Sequence, residues 1–408
     1  MCVSRWSVLE YESWSQPARP QTATKAAPAT QKEAAPARRT ERRIAAGLMA
    51  RSFTARGAGK RAVATILAHV DPPWVTLRDD ELLALRIRDV HVPVEGSPLE
   101  PRVAGLYAEL GARGLALRPP CYLGDEWFSP DGVPAIAIPF YLAHPRLEQL
   151  ELNQMLEVEG GTPETCAQLL RHECGHAIDH AYRFSSRRSW RAVFGSPDID
   201  YEPERYRPRP YSRSFVRHLP NWYAQAHPDE DFAETFAVWL STPPEDWRVR
   251  YGGWRALAKL EYVDSLMNEA RKKAPAITPG QGRRRADASK LTSTLAHYYA
   301  LRRKLSAQDY PDFYDRDLRR IFAQAATGHG TAAAFMRRRR EAIVAAVVRW
   351  TGQRKYVVDG LARKLLERCR RLSLHARGDD VALALEVGAY VASLVTNHLY
   401  TGRFKRSV

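Results

Sequence analysis

His172-Glu173-Cys174-Gly175-His176 decides how the rest of this 408-residue chain is read. On an α-helix, residues four apart stand one above the other, so His172 and His176 can reach one metal ion together. Glu173 then falls on the flank of that face, where a carboxylate can act as a base toward water held at the metal. The residues before it mark a helix start: Thr162 as N-cap, Pro163 at the first helical position and Glu164 against the positive end of the helix dipole. At about 100° per residue, Leu170, Cys174, Ala177, Ile178 and Ala181 gather on one side. His172 and His176 lie on the other, with Asp179 beside them. Cys174 is thereby a core residue and not a ligand. Gly175 weakens a helix by about 1 kcal/mol relative to Ala, which points to close approach by another backbone or by substrate. Asp179 either orients a ligand histidine or solvates the helix end.

A catalytic zinc needs a third protein ligand and an open fourth position. The pattern H-E-x-x-H-x-x-G-x-x-H fails here, because its Gly position is Asp179 and its last His position is Tyr182. The other arrangement draws a Glu from a later helix, and residues 227–240 fit it. They read His-Pro-Asp-Glu-Asp-Phe-Ala-Glu-Thr-Phe-Ala-Val-Trp-Leu. Pro228 opens a helix with Asp229, Glu230 and Asp231 in its first turn, where negative charge is favoured. Phe232, Phe236 and Trp239 share one side, and Glu230 and Glu234 share the opposite side at i, i+4. One carboxylate can hold zinc while the other hydrogen-bonds a ligand imidazole.

His-Glu-Cys-Gly-His-Ala-Ile-Asp (172–179) followed by Glu-Asp-Phe-Ala-Glu-Thr-Phe (230–236) resembles the gluzincin clan of zinc peptidases. The nearest patterns are the anthrax lethal factor catalytic domain and a family of bacterial zinc-binding metallopeptidases. The resemblance covers roughly residues 120–270 and implies one catalytic Zn2+ ion held by His172, His176 and Glu230, with Glu234 outside the ligand set and Glu173 as the base. It also implies an oxyanion donor at Tyr223, seven residues before the ligand Glu, although a phenol capping the core is the plainer reading of that tyrosine. His180 and His218 are rival electrophiles, and His180 as a fourth protein ligand would close the site. The departures are the Cys inside the first motif and the long Pro/Arg/Tyr-rich connection 183–222.

The implied fold class is α+β: a zincin-like metallopeptidase domain with a small edge-strand sheet and an active-site helix, followed by an all-α basic C-terminal domain. The expected division is a disordered basic tail over 1–60, the peptidase domain over 61–274, a linker over 275–286 and helices over 287–408. A helix is also possible within 40–70, one alternating strand within 82–92, and helices over 103–115 and 254–272. Residues 132–142 alternate weakly around Pro134 and Pro139, which suits an edge strand that either adds a substrate strand or merely rims the core. Asp125-Glu126-Trp127-Phe128 reads as a strand end and turn without function.

Charge is placed unevenly. Residues 281–408 carry 26 Lys/Arg against 11 Asp/Glu and residues 1–60 carry 11 against 4, leaving a net −6 for 61–280 within a total of +16. The basic C-terminal helices, with a dense cationic turn at 337–340, could meet nucleic acid or an acidic partner, or be an Arg-rich solvated surface. Five scattered cysteines give no disulfide framework and suit a reducing compartment. No apolar leader or membrane-length run stands out, so cytoplasmic residence is expected, with non-classical export as an alternative. The function implied is a zinc-dependent endopeptidase acting on peptide or protein. The competing reading is a nucleic-acid- or partner-binding protein with a structural or inactive metallopeptidase-like domain.

Overall fold

In the computed structural model, residues 71–201, 206–278, 282, 284–306, 310, 314–402 and 404 are described. The expected 1–60 tail and the helix within 40–70 lie outside them. In chain order the helices are α1 (Asp79–Ala84), α2 (Leu99–Ala112), α3 (Pro145–Met155), α4 (Pro163–Tyr182), α5 (Arg188–Phe194), α6 (Pro228–Ser241), α7 (Pro244–Arg250) and α8 (Arg255–Ala270). Beyond these come α9 (Leu295–Ser306), α10 (Asp315–Ile321), α11 (Ala332–Thr351), α12 (Lys355–Arg371) and α13 (Asp380–Thr401). Proline opens α3, α4, α6 and α7, where its missing N–H would have had no helical partner. The Thr162 side chain accepts from the Thr165 N–H, so α4 starts where its sequence says it should.

Two short strands, β1 (Cys121–Gly124) and β2 (Ile136–Pro139), pair in parallel with Cys121 opposite Ile136. A mostly helical chain with one small sheet among the described residues agrees with the α+β expectation at that level. Two strand readings change. The alternation in 82–92 gives no strand: Asp79, Asp80 and Glu81 start α1 at its positive end, and Ile87–Val90 forms a single 3-10 turn. β2 is fully buried, and the Ala137 N–H donates to the Phe128 carbonyl at 2.8 Å on the side away from β1. At Ala137 that side is already occupied, so β2 is a core strand there and not an edge ready for a substrate strand.

Apolar residues collect into two principal cores. The first runs from Trp74 to Leu301 and contains the sides of α4, α6 and α8 that the sequence marks as apolar, with Leu170, Cys174, Phe232, Phe236 and Trp239 at most 1 % exposed. It does not stop at 275–286, because Leu295, Tyr298, Tyr299 and Leu301 of α9 belong to it. Arg302 of α9 is also inside, bonded to Glu151 of α3 at 2.6 Å and to Glu126 at 3.0 Å, so the Asp-Glu-Trp-Phe turn carries a buried ion pair its sequence did not announce. The second core joins α10 to α13 through Leu361, Leu365 and Cys369 on one helix and Leu383, Val387, Val391 and Val395 on another. By length and composition α13 could cross a membrane; one stripe of it packs into the second core, while Val381 and Leu385 of the same helix face out. The cationic turn is partly neutralised, with Arg338 and Arg339 near Asp380 and Arg340 near Asp359.

Candidate metal centre

Helices α4 and α6 cross so closely that a Cβ built on Gly175 would lie 2.8 Å from the Ala233 Cα. That crossing sets the paired histidines of one helix against the paired carboxylates of the other. His172 Nε2 stands 3.0 Å from Glu230 Oε2, His176 Nε2 stands 3.2 Å from the same oxygen, and the two imidazole nitrogens are 3.2 Å apart. For a tetrahedral zinc with bonds of about 2.0–2.1 Å, donor atoms stand roughly 3.3 Å from one another. The triangle therefore has the size that would suit a zinc ion, and these three are the donors that converge among the described residues.

The surroundings hold the triangle in place. Glu234 Oε1 accepts from His172 Nδ1 at 2.8 Å, which turns Nε2 inward, and Glu234 Oε2 accepts from the Leu219 backbone N–H at 2.8 Å. His172, Glu230 and Glu234 are all buried. With protons in place of a cation, burial works against a charged His172, but its hydrogen bonds with Glu230 and Glu234 outweigh this and raise its pKa to about 10. His176 is raised too, burial again being outweighed by Glu230. Burial likewise opposes ionisation of Glu230, yet the two histidines hold its carboxylate well below the usual range. Such a group of donors, each dependent on its neighbour's charge, is one that a divalent cation would satisfy.

Glu173 is 1 % exposed, and its Oε1 has no hydrogen-bond partner in the protein. Burial pushes its pKa up to about 7 despite the two nearby histidines. Tyr223 is also buried, its ring 5.6 Å from that of His172 and its hydroxyl 2.7 Å from the Tyr201 hydroxyl. Three residues weighed for the site are engaged elsewhere. Both oxygens of Asp179 accept from Ser185, from its N–H at 2.8 Å and its hydroxyl at 2.7 Å, so Asp179 anchors the turn after α4 and not a ligand imidazole. His218 Nε2 bonds the Gln168 carbonyl at 2.9 Å, and burial lowers its pKa. His180 Nδ1 faces the Ser129 hydroxyl at 3.4 Å.

Several supports had no sequence signal. The Leu219 N–H that holds Glu234 is a backbone group, invisible in side-chain patterns. His227 caps α6 by accepting from the Asp229 N–H and ties its other nitrogen to the Ile199 carbonyl. Tyr206 donates to the carbonyls of Asn221 and Trp222, both in left-handed backbone at φ 60° and 53°. The Pro220-Asn221 dipeptide is the one trace of that turn in the sequence, since Asn tolerates such a conformation.

Residues 164–244 match the model of a protein family described as "Putative zinc-binding metallo-peptidase". The matched span runs from the first turn of α4 to the start of α7 and so contains all three donors, Glu173, Glu234 and Tyr223. A comparison with curated proteins and one with solved structures each gave no match.

Proposed function

We propose that this chain is a zinc-dependent endopeptidase of gluzincin type, with a zincin-like catalytic unit that extends through α9 and a basic helical layer formed by α10–α13. One observation carries the reading: two imidazoles and one carboxylate converge within 3.2 Å, and the neighbouring Glu173 is buried with its Oε1 lacking a hydrogen-bond partner. Two histidines with a glutamate, and no fourth protein donor among the described residues, is a catalytic zinc set; structural sites use four. The family match over 164–244 supports the same class.

A bound zinc ion supplies Lewis acidity, polarising the scissile carbonyl and making water a nucleophile at neutral pH. His172, His176 and Glu230 would hold it, and Glu234 fixes the tautomer and orientation of His172. Glu173 takes the proton of the attacking water at a carboxylate oxygen and passes it to the departing amine nitrogen as the C–N bond breaks. Tyr223 turns its hydroxyl from Tyr201 toward the oxygen that gains negative charge. The free thiols of Cys121, Cys166, Cys174 and Cys369 suit a reducing compartment, and we place the activity in the cytoplasm.

The test compares zinc-loaded protein with Glu173→Gln at matched zinc content on an unbiased peptide library, with cleavage mapped by mass spectrometry. Hydrolysis by the wild type alone is expected. A fully loaded wild type that cleaves no peptide, or a variant that cleaves equally well, refutes the proposal.

A further inference from the structure

The turn Pro220–Gln225 that carries Tyr223 is strained. Asn221 (φ 60°, ψ 25°) and Trp222 (φ 53°, ψ 41°) are consecutive residues in left-handed backbone. Left-handed backbone is sterically disfavoured for any residue with a side chain, and for a bulky one like Trp222 the conformation is a true outlier. Strain of this kind persists only where the surroundings impose it. Part of the restraint comes from Tyr206, whose hydroxyl lies 2.7 Å from both carbonyls of the pair.

A further part comes from the turn between α11 and α12. Gly352 there is itself left-handed at φ 66°, and the Asn221 side-chain amide donates to the Gly352 carbonyl at 3.0 Å. A Cβ on Gly352 would lie 2.9 Å from Asn221 Oδ1, so a side chain there would be strained by the backbone and would push the Asn221 amide from its present position. The same turn grips a second segment. Glu157 accepts from the Lys355 N–H at 3.0 Å, at the positive end of α12, and Arg354 lies 3.6 Å from Glu159. Glu157 and Glu159 belong to the segment leading into α4, and Asn221 belongs to the segment leading into α6. One four-residue turn thus ties down the entrances to both helices that bear the metal donors.

We propose that residues 352–355 clamp the Pro220–Gln225 turn and that Asn221 is a positioning residue acting through Tyr223. The role of the α10–α13 layer would then be to set the geometry of the catalytic cleft. The catalytic half of this inference rests on the peptidase reading above, and the mechanical half does not.

Asn221→Gly in the full-length zinc-loaded protein separates the two. Glycine keeps the left-handed backbone accessible but cannot bond Gly352, so a fold failure is not built into the variant. Deuterium uptake at residues 219–226 should rise, while uptake in α4, α6 and α11–α13 and zinc affinity stay within twofold of wild type. If uptake at 219–226 is unchanged, the clamp is refuted whatever the activity. In peptide hydrolysis kcat should fall about 10–100-fold with KM within threefold, the loss expected for a misplaced oxyanion donor. Tyr223→Phe supplies the reference. If Asn221 acts through Tyr223, the double variant is no slower than Tyr223→Phe alone; losses that multiply overturn the positioning role. A wild type that cleaves nothing, combined with raised uptake in the variant, tells against the peptidase reading and leaves the clamp standing.

Discussion

Replacing Gly175 with Ala separates two effects that the sequence confounds. By helix propensity alone the change stabilises α4 by about 1 kcal/mol. In the fold the new Cβ meets the Ala233 Cα at 2.8 Å, its carbonyl oxygen at 3.1 Å and its Cβ at 3.2 Å. The first two are backbone atoms of α6 and cannot rotate away. Relief requires the helices to part by roughly 0.5 Å, and overpacking of this kind costs about 1–3 kcal/mol. The metal-free protein should therefore be destabilised by up to about 2 kcal/mol net. The same displacement spreads His172 and His176 from Glu230 and Glu234, and zinc affinity should drop about 10–100-fold, the range seen when a ligand's support is lost. Gly105→Ala in α2 is the control, because a Cβ there meets nothing within 4 Å. It should gain the propensity increment of about 0.5–1 kcal/mol and leave zinc binding alone. Both quantities are read by thermal or urea unfolding of metal-free protein and by zinc titration against a chelating dye. A Gly175→Ala protein as stable as the Gly105→Ala control, with wild-type zinc affinity, refutes the close-crossing argument.

Glu234→Ala removes the acceptor of His172 Nδ1 and leaves the Leu219 N–H unsatisfied, so zinc affinity should fall about 10–100-fold by the same titration, while Asp179→Ala leaves it unchanged. Zinc must displace the protons held on His172, which has a pKa raised to about 10, and on His176, which is raised as well. The apparent affinity should therefore climb at least about tenfold per pH unit between pH 6 and 8, and a flat profile would contradict the donor assignment. Arg302→Met strands Glu126 and Glu151 in the core at a cost of about 3–5 kcal/mol, measured by urea unfolding at pH 8. Burial already pushes Glu151 up to about 7 against the pull of Arg302. A carboxylate raised in the folded state favours folding in its protonated form, so the deficit of the variant should shrink as pH falls from 8 to 5.

Legibility followed the range of the forces involved. The start of α4, its apolar side and the pairing of Glu230 with Glu234 were readable because caps, prolines and helical periodicity act within a few residues. The donor triangle was readable for a related reason: i, i+4 spacing fixes two donors on each helix, and only the crossing of α4 with α6 had to be supplied by the fold. Even there Gly175 gave notice, and the structure decides between its two readings in favour of a neighbouring backbone. Asp179 shows the limit. Its position on the wheel allowed contact with a ligand histidine, but the chain turns back after α4 and brings Ser185 to both its oxygens. The partner on the far side of β2 at Ala137 is Phe128, upstream across a turn, and no alternation within 132–142 encodes it.

The least legible part of the site is also the part with the most local conflict. Nothing in Leu-Pro-Asn-Trp-Tyr asks for two successive left-handed residues, and local preference disfavours Trp222 there outright. A stretch whose own preferences oppose its conformation takes that conformation from distant contacts, here Tyr206 on one side and Gly352 on the other. A helical layer with a core of its own needs no bond to Asn221 in order to fold. That it reaches the turn before α6 and the segment before α4 with the same four residues is economical only if the relation between those two segments matters. For a candidate metal centre built across two helices, that relation sets where the donors and Tyr223 stand with respect to one another.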